Sequence, residues 1–300
     1  MAIKELNMSI DECIKTYFGE TVTISNKSYV GGGDINESIC LQLSNGDNIF
    51  IKLNSIENKG FFEAEEIGIN AIAATETIQV PKLLFRGVDE SDDKAFLAME
   101  YISGASRVQY FWEMFGQSLA AMHQADTNGF VSDGKYGFDV DNYIGATRQI
   151  NSHRDSWVEF FRGCRLEPQF KMAERYFDNS SIKKMLKLLD KLPELLIEPK
   201  QPSLLHGDLW SGNYIVGNDG QAWLIDPAVY VGHAEVDLAM TELFGRFPAG
   251  FYNAYSTVNP IDSGYKDRRD LYNLYHLTNH LNLFGETYLS AVLSTIDYYV

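Results

Sequence analysis

The rhythm of apolar and polar positions changes once along this chain, near residue 100. Ahead of that point the pattern is mostly that of strands. Residues 21–30 and 37–43 are β-like runs separated by Gly31-Gly32-Gly33-Asp34, and a third run, 48–53, follows the turn signal Asn45-Gly46-Asp47. Two more apolar runs, 80–85 and 95–102, read as strands. Helical spacing occurs twice here. The first 20 residues suggest a short amphipathic helix ending at Gly19, and over 61–75 the residues Phe61, Glu65, Ile69 and Ile72 share one face.

After residue 101 the helical period takes over, over 108–124, 156–176, 181–192, 235–244 and 267–284. Between the first two lies a Gly/Asp/Asn-rich stretch, 126–151, which reads as a surface loop or an inserted hairpin. The expected architecture is α+β with two lobes: a small β-rich lobe over 1–101 with one main helix, and a larger, mostly helical lobe over 102–300. A cleft between them is the natural place for chemistry.

Composition narrows the classes. The chain has 300 residues, 45% of them apolar, which is ample for a buried core. Against 41 acidic side chains stand 25 basic ones, a net charge of −16 that repels phosphate backbones and argues against nucleic-acid binding. Cys13, Cys40 and Cys164 have no paired spacing, so neither a disulfide framework nor a zinc cluster is expected. The first residues lack the apolar core of a signal peptide, and no apolar run is long enough to span a bilayer. A cytoplasmic protein without a membrane partner is the expectation. Its many tyrosines and phenylalanines suit a helical core as well as a dimer face, so monomer and homodimer both fit.

The densest chemistry lies in Leu205-His206-Gly207-Asp208-Leu209-Trp210-Ser211-Gly212-Asn213 and the hairpin that follows it. Residues 214–216 and 222–225 flank the turn Gly217-Asn218-Asp219-Gly220, which should bring Asn213 and Asp226 opposite each other at the open end. An amide oxygen and a carboxylate beside Asp208 make an oxygen site for a hard cation such as Mg²⁺. Asp208 precedes Asn213 by five residues, the spacing between the base and the metal-binding Asn in the phosphoryl-transfer template. Each residue alone is an ordinary turn former; the three together are harder to explain that way.

Two further groups support this reading. Lys52 interrupts an apolar strand and Glu65 an apolar helix face, so the economical arrangement pairs them and leaves Lys52 to meet a phosphate. Alternatively, Ile51 and Leu53 face inward and Lys52 lies on the wet side of an edge strand. The loop Gly31-Gly32-Gly33-Asp34 lets backbone amides approach phosphate oxygens, although it matches neither the dinucleotide-binding nor the P-loop pattern. His276 and His280, four apart, lack the Glu and the third ligand of a zinc site and suit a polar cleft wall or helix contacts. His206 reads as a brace of the Asp208 loop, and Asp237 as an acceptor for it.

These segments resemble the fructosamine kinase (ketosamine-3-kinase) family, a branch of the aminoglycoside phosphotransferase and protein-kinase-like fold. The resemblance runs through Gly31–Asn36, Phe50-Ile51-Lys52, Phe62–Glu65, Met99-Glu100-Tyr101, Leu205–Asn213, Ile225–Ala228, Glu235–Met240 and Asn279–Gly285. Trp210-Ser211-Gly212 is what resembles this family rather than the wider superfamily. The resemblance implies ATP- and Mg²⁺-dependent phosphorylation of the 3-hydroxyl of a ketoamine, carried on a small molecule, an amino acid or a protein lysine. The product is unstable and frees the amine, so the activity reverses glycation. It further implies Asp208 as base, Asn213 and Asp226 as Mg²⁺ ligands, and Lys52 as phosphate anchor held by Glu65. The backbone of Met99, Glu100, Tyr101 and Ile102 would hold adenine, and Trp210 and His280 would touch the sugar. Asp34 stands where some members have a cysteine, so no redox switch is expected in that loop. The rival readings are another aminoglycoside- or choline-type kinase and an inactive nucleotide-binding protein.

Overall fold

A six-stranded sheet forms the first hundred residues of the computed structural model, which describes Ile3 and residues 5–31 and 35–300. Its strands are β1 (Glu5–Asn7), β2 (Ile24–Tyr29), β3 (Glu37–Leu43), β4 (Asn48–Ser55), β5 (Leu83–Asp89) and β6 (Lys94–Glu100), in the order β1-β5-β6-β4-β3-β2. All neighbours are antiparallel except β1, which runs parallel to β5. Strand β4 is interior to the sheet, and helices cover both its faces. Ile49, Ile51 and Leu53 enter a core shared with Cys13 and Ile14 of helix α1 (Ile10–Phe18). Phe50 packs on the opposite side with Phe62 and Ile69 of helix α2 (Lys59–Ala74).

That two-sided burial explains the position of Lys52. Ile51 and Leu53 do face inward, but the other side of β4 is not wet, because α2 lies over it; alternation along the strand therefore aims Lys52 at Glu65. On α2, Phe62 takes the sheet-facing place, whereas Phe61 packs edge-on against Tyr143 with ring centroids 4.4 Å apart. The N-terminal helix is shorter than expected. Its start is set by a capping box between Ser9 and Glu12, and β1 occupies the residues before it.

Helices dominate from α3 (Phe111–His123) onward. The stretch 126–151 contains a hairpin of β7 (Asn142–Ile144) and β8 (Thr147–Gln149), with Tyr136, Phe138, Asn142 and Gln149 buried. The expected continuous helix over 156–176 is interrupted. It comprises α4 (Trp157–Phe160), a π-helical segment Phe161–Leu166, α5 (Glu167–Ala173) and a short 3-10 turn. Pro168, with no N–H, cannot close the usual bond to the Cys164 carbonyl, which instead accepts from Arg165 Nη1 at 2.9 Å. Helix α6 (Asn179–Leu195) follows.

The two-stranded pair β9 (Ser203–Leu205) and β12 (Tyr230–Gly232) brackets the hairpin β10 (Tyr214–Val216) and β11 (Ala222–Leu224). The chain closes with α7 (Glu235–Leu243), α8 (Ala249–Val258), α9 (Tyr265–Phe284) and α10 (Leu289–Tyr299). Helix α9 runs through the middle of this part and is buried almost all round from Leu271 to Leu281. Helices α3 and α8 cross closely because Gly116 has no Cβ; one would lie 2.2 Å from the Phe251 carbonyl oxygen. Among the described residues no helix is long and apolar enough to cross a membrane.

Candidate active site

Strand β9 leads directly into His206-Gly207-Asp208, and a buried carboxylate fixes this loop from behind. Asp237, in the first turn of α7, accepts from the backbone amides of His206 at 2.7 Å and Gly207 at 2.9 Å, and lies 3.1 Å from His123 Nε2. Burial alone would raise the Asp237 carboxyl. Its hydrogen bonds and the neighbouring His123 and His206 instead hold it below the usual carboxylate range. The His206 ring braces the same loop, with Nε2 2.9 Å from the Ile225 carbonyl and Nδ1 accepting from the Asp208 amide at 3.2 Å. Burial pushes His206 below its ordinary value, so the ring is a neutral strut.

Gly207 makes this geometry possible. Its φ is +82°, and an added Cβ would lie 2.0 Å from the Ala228 carbonyl oxygen. Gly207→Ala is therefore expected to cost about 2–5 kcal/mol through left-handed backbone strain plus overpacking. Urea denaturation measures this, and a loss under 1 kcal/mol would mean that the loop relaxes freely.

The Asp208 side chain is about one-fifth exposed. Asn213 Nδ2 donates to the Asp208 backbone oxygen at 2.7 Å and to its Oδ2 at 3.0 Å. Burial, aided by the charges of Asp226 and Asp237 and opposed by the Asn213 hydrogen bond, pushes the Asp208 carboxyl up to about 7. The hairpin differs from expectation by one residue. Asn213 stands opposite Ile225, whose amide donates to the Asn213 carbonyl at 3.1 Å, and Asp226 comes one position later. Asp226 adopts a φ of +55°, a left-handed turn that directs its carboxylate to Lys52.

Lys52 is the hub of a second group. Its Nζ donates to Glu65 Oε1 at 2.5 Å and also to Asp226 Oδ1, joining β4, α2 and the end of the hairpin. Burial would lower the Lys52 value, but the two carboxylates raise it, so Lys52 is an ammonium. Asn213 Oδ1 has no hydrogen-bond partner among the described residues, and the Asp226 side chain is 46% exposed. Two oxygen donors, one amide and one carboxylate, suit a hard divalent cation.

Of the glycine loop, Gly31 is exposed at the end of β2, while Gly32, Gly33 and Asp34 lie outside the described residues. The far end of that loop is held by Asn54, whose Nδ2 donates to the Ile35 carbonyl and to Asn36 Oδ1. Met99 and Glu100 end β6, and the Glu100 amide is already used by the Lys82 carbonyl at 2.9 Å. Among the described residues, the amides of Tyr101 and Ile102 have no partner within the protein.

Trp210 and His280 lie on a shared aromatic wall. Phe244 packs against both, with centroids 6.0 Å from the Trp210 ring and 4.8 Å from the His280 ring, and Phe284 and Tyr288 continue the wall beyond His280. The Trp210 indole folds over Gly212, where a Cβ would lie 2.4 Å from the ring. This gives the Trp-Ser-Gly sequence a physical reason. Sequence reasoning did not find His123, whose contact with Asp237 spans 114 positions, or the placement of His276 behind Asp208.

Comparison with known proteins agrees over nearly the whole chain. The fructosamine kinase family profile matches residues 6–300. A probable ketoamine kinase of Synechocystis sp. is 40% identical over 281 residues, covering 93% of this chain and 92% of the relative. The chloroplastic protein-ribulosamine 3-kinase of Arabidopsis thaliana is 40% identical over 285 residues, covering 94% and 85%. Among solved structures, a Haemophilus somnus 129PT protein assigned as a fructosamine-3-kinase superposes with a TM-score of 0.86 at 29% identity, covering 97% of both chains. The choline kinase LicA of Streptococcus pneumoniae shares the protein-kinase-like fold, with a TM-score of 0.61 at 13% identity over 97% of this chain and 98% of that one. The chain belongs to the fructosamine kinase family.

Proposed function

We propose that the protein is an ATP-dependent ketosamine kinase that phosphorylates the 3-hydroxyl of a fructosamine or ribulosamine, on a free amine or a protein lysine. The observation that supports this reading is the convergence of Lys52, Asp208, Asn213 and Asp226, with Asn213 bonded to Asp208 and Lys52 in contact with Asp226 across 174 positions. The names of the ketoamine and ribulosamine 3-kinase relatives support the substrate class.

The proposed roles make use of this geometry. Tyr101 and Ile102 offer their amides to adenine at the end of the strand that Met99 and Glu100 complete. Gly31, exposed at the end of β2, would meet the phosphates with its backbone. Lys52, steadied by Glu65, leaves Asp226 to neutralise phosphate oxygens. Asn213 Oδ1 and the Asp226 carboxylate would hold Mg²⁺, which when bound supplies positive charge against the triphosphate. Asp208 accepts the proton of the acceptor hydroxyl as its oxygen bonds to the γ-phosphorus and the bond to ADP breaks. Trp210 and His280 present ring faces and an imidazole to the sugar.

The test is ATP consumption with fructoselysine and ribuloselysine as acceptors, with mass spectrometry and phosphorus NMR of the product. A 3-phosphorylated ketoamine that decays to release the free amine is the expected result. Transfer only to choline or an aminoglycoside, or Mg·ATP binding with no transfer to any acceptor, would overturn the proposal.

A further inference from the structure

Helix α9 carries a histidine whose burial has no structural account. His276 is fully buried, and neither ring nitrogen has a hydrogen-bond partner among the described residues. Leaving a buried polar group unsatisfied costs about 1–3 kcal/mol, and an apolar side chain of similar size would avoid that cost. Its buried neighbours on α9 include Tyr275, Leu277 and Leu281, and the imidazole packs edge-on to Tyr275, a contact that uses neither ring nitrogen. The ring does face one chemically relevant atom. His276 Nδ1 lies 4.0 Å from Asp208 Oδ1.

Asp208 is incompletely held at that same oxygen. Asn213 fixes Oδ2, while Oδ1 receives no hydrogen bond among the described residues. A carboxylate anchored by one oxygen can still rotate about that anchor, and the direction of its lone pairs rotates with it. Two unpartnered atoms, a potential donor and an acceptor, thus face each other across a gap about 1 Å longer than a hydrogen bond.

We propose that His276 is a positioning residue for Asp208: a neutral imidazole in the Nδ1–H tautomer that donates to Asp208 Oδ1 when an acceptor fills the cleft, so that Asn213 and His276 together fix the carboxylate plane. The inference rests on the reading of Asp208 as the base. Burial, together with the nearby His280, pushes His276 down to about 3, which agrees with a neutral ring. In that tautomer Nε2 is an acceptor, so only a lone pair is left buried without a partner. The residue acts through Asp208 and does not itself touch the transferring phosphoryl group.

Three variants and one spectrum test this. His276→Leu keeps an apolar filling of the site and is expected to lower kcat about 10- to 100-fold, as loosened reacting geometry does, with KM for ATP and the melting temperature close to wild type. His276→Asn places an amide donor near the Nδ1 position and is expected to recover most of the loss; His276→Gln, whose donor falls near Nε2, is not. Wild-type kcat in His276→Leu, or Asn no better than Gln, would overturn the proposal. If the Leu variant fails to fold, the contrast between Asn and Gln decides alone. Independently of any acceptor, a long-range ¹H–¹⁵N spectrum of histidine-labelled wild-type protein at neutral pH should show His276 protonated on Nδ1. The Nε2–H tautomer would sink this inference and leave the proposed function standing, whereas a wild-type protein inactive on ketoamines would sink that function while the spectrum still decides the tautomer.

Discussion

Asp208→Ala is expected to lower kcat by about 10²–10⁴, the range a positioned general base contributes, without lowering the melting temperature. The two halves of this result have one cause. Burial pushes the Asp208 carboxyl from 3.8 up to about 7, so the folded protein binds this proton more tightly than the unfolded chain does. For this group stability is fully present below the unfolded value and is lost as pH rises toward about 7. Above neutrality the ionised carboxylate strains the fold, and removing it relieves the strain. Asp208→Asn should therefore gain on wild type between pH 5 and pH 8, by up to about 2–4 kcal/mol. Calorimetry across that range measures the gap, and a gap that does not grow with pH would mean that Asp208 titrates like a solvent-exposed acid. Activity runs the other way, because the base must be ionised. Below about pH 7, kcat/KM should fall roughly tenfold per pH unit, and a bound cation would move that limb to lower pH. Turnover by Asp208→Ala within threefold of wild type would remove Asp208 from the reaction.

The parts of this site that sequence reveals are those where a residue contradicts its surroundings. Lys52 in an apolar strand and Glu65 in an apolar helix face are visible because each violates a local pattern, and the violation is resolved by their meeting at 2.5 Å. The alternative, a wet edge for Lys52, fails for a tertiary reason. Nothing local in 48–53 says that β4 is interior, with β6 on one side and β3 on the other. The hairpin turn gives away residues 214–225, yet the one-residue offset of Asp226 depends on a positive φ that aspartate tolerates but does not announce. His276 stands out in the sequence only as one of two histidines four apart, and its relation to Asp208 is not legible there. It sits on an ordinary-looking helix, and its meaning comes from a neighbour 68 positions away in the chain.

The fold shows the same division. Long periodic segments such as α2 and α9 declare themselves, whereas β9 and β12 are three-residue strands whose buried pairing leaves no alternation to read. Helix α1 has a legible start in Ser9-x-x-Glu12, whose capping box sets the boundary that amphipathic spacing alone places too early. The break at 161–166 also had a signal, because Pro168 removes a helix donor. Sequence marks that a helix must yield there, while the π turn it becomes, with Arg165 packed 3.8 Å from guanidinium carbon to the Tyr230 ring centroid, is a matter of tertiary packing.

Lys52→Met should separate the stabilising role of the ammonium from its chemical one. In wild type the Lys52 side chain, 90% buried, answers two carboxylates, and its removal leaves Glu65 buried with no counter-charge. Breaking one side of such a pair costs about 3–5 kcal/mol, less whatever Glu65 recovers by taking up a proton. Adding Glu65→Gln removes the orphaned charge, so the double variant should regain most of the lost stability. Activity should not follow. Both Lys52 variants lose the donor aimed at the phosphates, and kcat/KM for ATP should fall about 10²–10³-fold in each. Glu65→Gln alone should fall between them and wild type, because Lys52 is still present but is held only by Asp226, the carboxylate that it must leave when nucleotide enters. Urea unfolding and ATP kinetics on the four proteins give two independent rankings. A double variant as stable as wild type and as inactive as Lys52→Met fits the scheme. One no more stable than Lys52→Met would show that the buried Glu65 charge is not what the lysine compensates, and one that regains activity would place the phosphate anchor elsewhere.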